Sequence, residues 1–119
     1  MYFTDSAPTV YFDVDSTLVF TEQEAPELFP DSSLEDWVEI GGRRFWVHRP
    51  HVEHMRDFHA RGHNVIVWSQ GGALWAKEVV ITLGLTSIVH ACLSKPSWIF
   101  DDKPVDSWLC ERQRSYLIP

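Results

Sequence analysis

The sequence predicts an α/β fold, a mainly parallel sheet with helical crossovers on both faces and therefore three layers. Short apolar runs alternate with segments of helical period, the pattern of successive β-turn-α units. Each run stops abruptly at polar residues, as a buried strand does on reaching a sheet edge. A Gly41-Gly42 pair between two alternating segments adds one antiparallel hairpin.

Thr9-Val10-Tyr11-Phe12 is the first strand; it is β-branched and aromatic and stops at Asp13, with Asp15 and Ser16 close behind. From Glu22 to Asp36 runs an acidic, Pro-containing stretch without a clear period, which is expected to be a solvated loop. A two-residue turn at Gly41-Gly42 sets the hairpin register, pairing Ile40 with Arg43, Glu39 with Arg44, Val38 with Phe45 and Trp37 with Trp46. That register places a Glu39–Arg44 ion pair and a tryptophan pair on one face. Pro50 suits a first helical turn, Val52, Met55, Phe58 and His59 recur at helical spacing, and Gly62 supplies a stop, so a helix spans about 50–61. Val65-Ile66-Val67-Trp68 is a fully apolar strand, followed by Ser69-Gln70-Gly71-Gly72 and a helix over about 73–83 that Gly84 ends. Ile88 to Leu93 and Trp98 to Phe100 are two further strands, Pro104 to Cys110 a brief helix, and Tyr116 to Ile118 an edge strand.

With 119 residues, 45% of them hydrophobic, the chain has length for one core, and a single domain over 1–119 is expected, with an insertion at about 20–48. A net charge of −7 argues against a generally basic face that holds bulk nucleic acid. No apolar stretch reaches the roughly 18 residues of a membrane span, and Met1 to Pro8 lacks the basic and apolar regions of a leader. Cys92 and Cys110, both in apolar surroundings, fit reduced thiols better than a secreted disulfide. A cytoplasmic protein without a membrane partner is the expectation.

A parallel sheet gathers at one edge whatever follows its strands, and ligands bind there. Here that set is Asp13 and Asp15, Ser69, Lys95, and Asp101 with Asp102. Carboxylates from two strands make a hard-oxygen site suited to Mg²⁺. Lys95 and the Ser69 hydroxyl suit phosphate oxygens, because a transferring phosphoryl group calls for positive charge and donors around it. His48, His51 and His54 have a spacing that invites a zinc reading, but no cysteine lies near them. Most of the tryptophans, Trp37, Trp46, Trp68, Trp75, Trp98 and Trp108, are assigned to core and hairpin packing rather than base stacking at this acidity.

Asp13-Val14-Asp15-Ser16-Thr17-Leu18 resembles the D-x-D-x-T-L signature of the haloacid dehalogenase-like superfamily. Val65 to Ser69 is similar to its second motif, Lys95 to its third and Ile99-Phe100-Asp101-Asp102 to its fourth, in the family's order across residues 9 to 106. The resemblance implies a small capless phosphatase with a three-layer Rossmann-like sheet and a β-hairpin flap. It implies Asp13 as nucleophile, Asp15 as general acid and base, and Mg²⁺ held by the Asp13 carboxylate, the Asp15 backbone carbonyl and the Asp102 carboxylate. Ser69, Gln70 and Lys95 would bind phosphate, with Thr17, Asp101 and Asp106 in support. Arg49-Pro50-His51-Val52 after a hairpin is similar to the carboxy-terminal-domain-type protein phosphatases, whereas Lys95-Pro96 to Asp101-Asp102-Lys103 resembles small capless members associated with bacterial polysaccharide clusters. The two likenesses point to different substrates.

Ser16 stands where the superfamily most often has Gly, and Lys95 lies six residues before Asp101, without room for the helix many members place there. The 34 residues between Asp15 and Pro50 are too few for a helical cap domain. The resulting open site is expected to take a phosphate displayed on something large, such as a protein side chain, a polynucleotide end or a glycan, or else a nucleotide or sugar phosphate. Arg43 and Arg44 either touch a second anionic group or form a solvated turn, with Arg44 paired to Glu39. A phosphate-binding regulatory module that does not turn over is the alternative to an enzyme; the complete set Asp13, Asp15, Ser69, Lys95 and Asp102 favours the enzyme. A signalling receiver domain would need its phosphoacceptor on a mid-chain strand, and the nearest candidate, Asp57, falls inside a helical segment.

Overall fold

The computed structural model describes residues 3–30 and 36–109. In chain order its elements are β1 (Thr9–Asp13), β2 (Val19–Thr21), α1 (Glu24–Leu28), β3 (Trp37–Ile40), β4 (Arg43–Val47), α2 (Arg49–Ala60), β5 (Asn64–Ser69), α3 (Ala73–Thr82), β6 (Ala91–Ser94) and a 3₁₀ turn at Val105–Ser107. Strands β1, β5 and β6 form a parallel sheet in the order β1-β5-β6, and β2, β4 and β3 a small antiparallel one in the order β2-β4-β3. Parallel pairing aligns Thr9 with Asn64 through Asp13 with Trp68, and Ile66 with Ala91 through Ser69 with Ser94. Asp13, Ser69 and Ser94 therefore all sit at the carboxyl ends of their strands. No helix among the described residues is long and apolar enough to cross a membrane.

The hairpin adopts the register its turn dictates, from Ile40 opposite Arg43 to Trp37 opposite Trp46. Gly41 and Gly42 both have positive φ, +60° and +77°, which a two-residue turn matched to the strand twist requires and which side chains with a Cβ resist. The two sheets share one apolar core, in which Ile40, Phe45 and Val47 pack with Val65, Val67, Val52, Met55, Ala76 and Val79. Helix α2 buries His51, Val52 and Met55, and α3 buries Ala76, Val79 and Val80.

Three expectations are corrected. Trp98 to Phe100 forms no strand, and these residues are 85%, 60% and 98% exposed. Only Lys95, Pro96 and Ser97 separate β6 from Trp98. A parallel neighbour needs a crossover of roughly a dozen residues to carry the chain back along the sheet, so this linker cannot supply one. The acidic stretch is not wholly loop, because Thr21 and Glu24 form a reciprocal cap. The Glu24 N–H donates to Thr21 Oγ1 at 3.1 Å and the Thr21 N–H to Glu24 Oε1 at 3.2 Å, which starts α1 and buries Ala25. Val19–Thr21, unassigned in sequence, pairs with β4. The Glu39–Arg44 ion pair does not form; the Arg44 guanidinium lies 4.5 Å from the Trp37 ring centroid, a contact that competes well with an exposed ion pair. Cys110 and the segment 116–118 lie outside the described residues.

His48, at the start of α2, is buried among Phe20, Phe29, Trp46 and His51. Burial first, then the neighbouring His51 and His54, lowers its pKa from 6.5 to about 4, and burial lowers that of His51 in the same sense. The unfolded chain thus takes up a proton below pH 6.5 that the folded one takes up only near pH 4. Stability is complete above 6.5 and declines as pH falls toward 4, by on the order of 2 kcal/mol from His48 alone between pH 7 and 5. Urea midpoints at these two pH values check this, and the decline should shrink in His48→Phe; a midpoint that does not move with pH refutes it.

Candidate active site

The turn after β1 is set by backbone bonds on Val14. The N–H groups of Thr17, Leu18 and Val19 all point at the Val14 carbonyl, at 3.3, 2.9 and 3.2 Å, and Ser16 N–H donates to Val19 O at 2.9 Å. Ser16 takes φ +59° to close this turn, the conformation that Gly adopts without strain. Its hydroxyl donates to Glu24 Oε2 at 2.6 Å, tying the turn to α1. The result presents Asp13 with both oxygens engaged. Lys95 Nζ lies 3.2 Å from Oδ1, and Thr17 Oγ1 donates to Oδ2 at 3.3 Å. Asp13 and Lys95 are each 31% exposed in their side chains, so the pair is accessible to an incoming group and partly screened by solvent. Lys95 reaches Asp13 because β6 ends one residue earlier and the Lys95 N–H closes on Ser69 O at 2.9 Å.

Asp15 is held from the other side. Ser69 Oγ donates to its Oδ2 at 3.3 Å, and Trp75 Nε1 lies 3.3 Å from both its oxygens. Ser69 is fully buried, and its hydroxyl also accepts the Gly71 N–H at 2.9 Å. In this arrangement its proton faces Asp15. A Cβ at residue 71 would sit 3.1 Å from Trp75 Cδ1 and 3.3 Å from Ser69 Oγ, so glycine there lets both donors close on the carboxylate. Trp75 was missed in sequence, where it counts among the packing tryptophans. The available signal was its place one turn into the helix that follows Ser69-Gln70-Gly71-Gly72, which aims a ring N–H back at the strand ends.

Asp13, Asp15, Thr17, Ser69 and Lys95 are thus brought together from three parts of the chain. Gln70 is exposed just beyond β5. Asp101 and Asp102 are exposed as well. A side-chain hydrogen bond with Asp102, then the Lys103 N–H at 3.3 Å, hold the Asp101 carboxyl below the usual carboxylate range. No hydrogen bond or ion pair joins either of them to Asp13 or Asp15. The side chain of Asp106 lies outside the described residues. Arg43 and Arg44 line an open cleft of about 370 Å³ with Thr21, Glu22, Gln23, Glu39 and Gly42. None of the residues around Asp13 lines that cleft.

The donors suit Mg²⁺ in kind, since Asp13, Asp15, Asp101 and Asp102 offer only hard oxygens. Among the described residues, however, no three His, Cys, Asp or Glu side chains stand together as a metal-holding group. A family model described as NLI interacting factor-like phosphatase matches residues 8–108. No curated protein and no solved structure matches the chain.

Proposed function

The chain belongs to the NLI interacting factor-like phosphatases, a phosphatase family of the haloacid dehalogenase-like superfamily, and we propose that it hydrolyses phosphomonoesters through an aspartyl-phosphate on Asp13 with the help of Mg²⁺. The observation that carries this reading is the ion pair of Lys95 with Asp13 beside a separately held Asp15. An Asp13 oxygen attacks phosphorus as the ester P–O bond breaks, and the Asp15 carboxylic acid gives its proton to the leaving oxygen. Water then attacks the same phosphorus, Asp15 takes its proton, and the bond to Asp13 breaks to release phosphate. Lys95 passes from Asp13 to the phosphoryl oxygens as substrate enters, balancing their charge. Thr17 and the Ser69–Trp75 pair hold the two carboxylates apart and in place.

Mg²⁺, when bound, supplies further positive charge for the phosphoryl oxygens and relieves repulsion between them and the carboxylates. Asp13, the Asp15 carbonyl and Asp102 are the groups that would hold it. Asp102 follows β6 by eight residues, which extended span roughly 26 Å, so a loop can carry it to the strand ends without adding a strand. The substrate we favour displays its phosphate from a larger molecule, because little chain is available to close over Asp13.

Hydrolysis of an aryl phosphate should vanish in EDTA and return with added Mg²⁺. Turnover that is indifferent to chelator removes the metal from this scheme and leaves the role of Asp13 to be judged by substitution.

A further inference from the structure

His51 touches neither a candidate phosphate ligand nor a candidate metal ligand, yet it grips the turn that carries the nucleophile. Its Nδ1 lies 2.7 Å from the Thr17 carbonyl oxygen. A carbonyl oxygen only accepts, so Nδ1 carries the proton and Nε2 is bare. That Nε2 is buried and has no hydrogen-bond partner among the described residues. The ring is 1% exposed, packed against His48 with centroids 4.1 Å apart and near His54 at 6.4 Å. Nothing in this surrounding competes for the Nδ1 proton, and the ring is held in one tautomer with one polar contact.

That contact lands where the chain is strained. Ser16, immediately before Thr17, is the one non-glycine residue with positive φ among the described residues. A residue held there persists only when its surroundings fix it, and without that support the turn relaxes to a different course. Two bonds from the start of α2 add to the support given by Glu24 and by the Val14 and Val19 carbonyls, His48 N–H to Leu18 O at 2.9 Å and His51 Nδ1–H to Thr17 O. Thr17 in turn donates its hydroxyl to Asp13 Oδ2. We propose that His51 is a positioning residue for the phosphatase reaction, fixing the Thr17 peptide so that the Thr17 hydroxyl aims the Asp13 carboxylate at phosphorus. The inference rests on the reading of Asp13 as nucleophile.

Displacement of a reacting group by about 1 Å is enough to lose a large part of an enzyme's rate without altering the affinity for substrate. His51→Leu, which keeps the bulk and removes the donor, should therefore lower kcat on an aryl phosphate about tenfold or more with KM within about twofold. Asn places an N–H near the position of Nδ1 and Gln near that of Nε2. His51→Asn should recover most of the lost kcat, and His51→Gln should not. Val52→Ala, a substitution of the buried neighbour on the same helix, should lower Tm while kcat measured well below Tm stays within about twofold. If His51→Leu turns over like the wild type, or if the Asn and Gln variants lose kcat alike and in step with Tm, His51 is packing alone and the proposal falls. Asp13→Asn assayed in parallel separates the two levels: full activity in that variant removes the nucleophile assignment itself, whereas an inactive Asp13→Asn beside an unaffected His51→Leu removes only the positioning role.

Discussion

Asp13→Asn is expected to lower kcat by at least about 10³-fold, because an amide oxygen is a far weaker nucleophile than a carboxylate and no second carboxylate stands in its place. The substitution is isosteric. Thr17 can still donate to the amide oxygen, and Lys95 loses an anion that is only partly shielded, so the urea midpoint should change little. Loss of activity in a folded protein is the signature sought. Acid-quenched wild-type enzyme should carry one covalently bound phosphoryl group by intact mass, and the Asn variant none. A phosphorylated Asp13→Asn protein, or one with wild-type kcat, would end the assignment.

Asp15→Asn should produce the second-largest loss, about 10²- to 10⁴-fold in kcat on an alkyl phosphate, the usual contribution of a positioned acid–base group. The effect must depend on the leaving group. An aryl oxygen departs without a proton, so the first step survives in this variant while hydrolysis of the intermediate, which needs a base for the attacking water, remains slow. The variant should therefore release about one equivalent of phenol in a burst and then accumulate phosphoenzyme. Asparagine retains an oxygen for Trp75 Nε1 and Ser69 Oγ to meet, so the side chain stays where those donors hold it. Equal losses on aryl and alkyl esters, with no accumulation, would assign Asp15 a structural part instead.

Much of this was legible before any coordinates. Four hairpin pairs followed from one dipeptide, since a two-residue turn admits a single register and a period of two then fixes every side chain. Asp13, Ser69 and Lys95 were found by where apolar runs stop. The errors have equally definite causes. Thr21-Glu22-Gln23-Glu24 carries a capping box that the acidic, Pro-containing composition of the stretch masks. Trp98 to Phe100 looked like a strand by composition, and three linking residues were enough to rule it out had the crossover been counted. Trp75 does pack against the core, and the His48, His51 and His54 spacing lacks a cysteine for zinc; that Trp75 and His51 each also donate from one ring nitrogen is decided by how their helices dock.

By itself the sequence determined the order of the α/β units, the hairpin register and the residues that follow the strands, because these depend on local periodicity, turn chemistry and chain length. Tertiary structure alone decided which of those residues meet. Lys95 closes on Asp13 and Ser69 donates to Asp15, while no hydrogen bond or ion pair joins Asp101 or Asp102 to either carboxylate. The physical reason is that a side chain's partner is set by how strands stack sideways and where helices dock. Those contacts join residues as far apart as 82 positions, as between Asp13 and Lys95, and no local pattern encodes them.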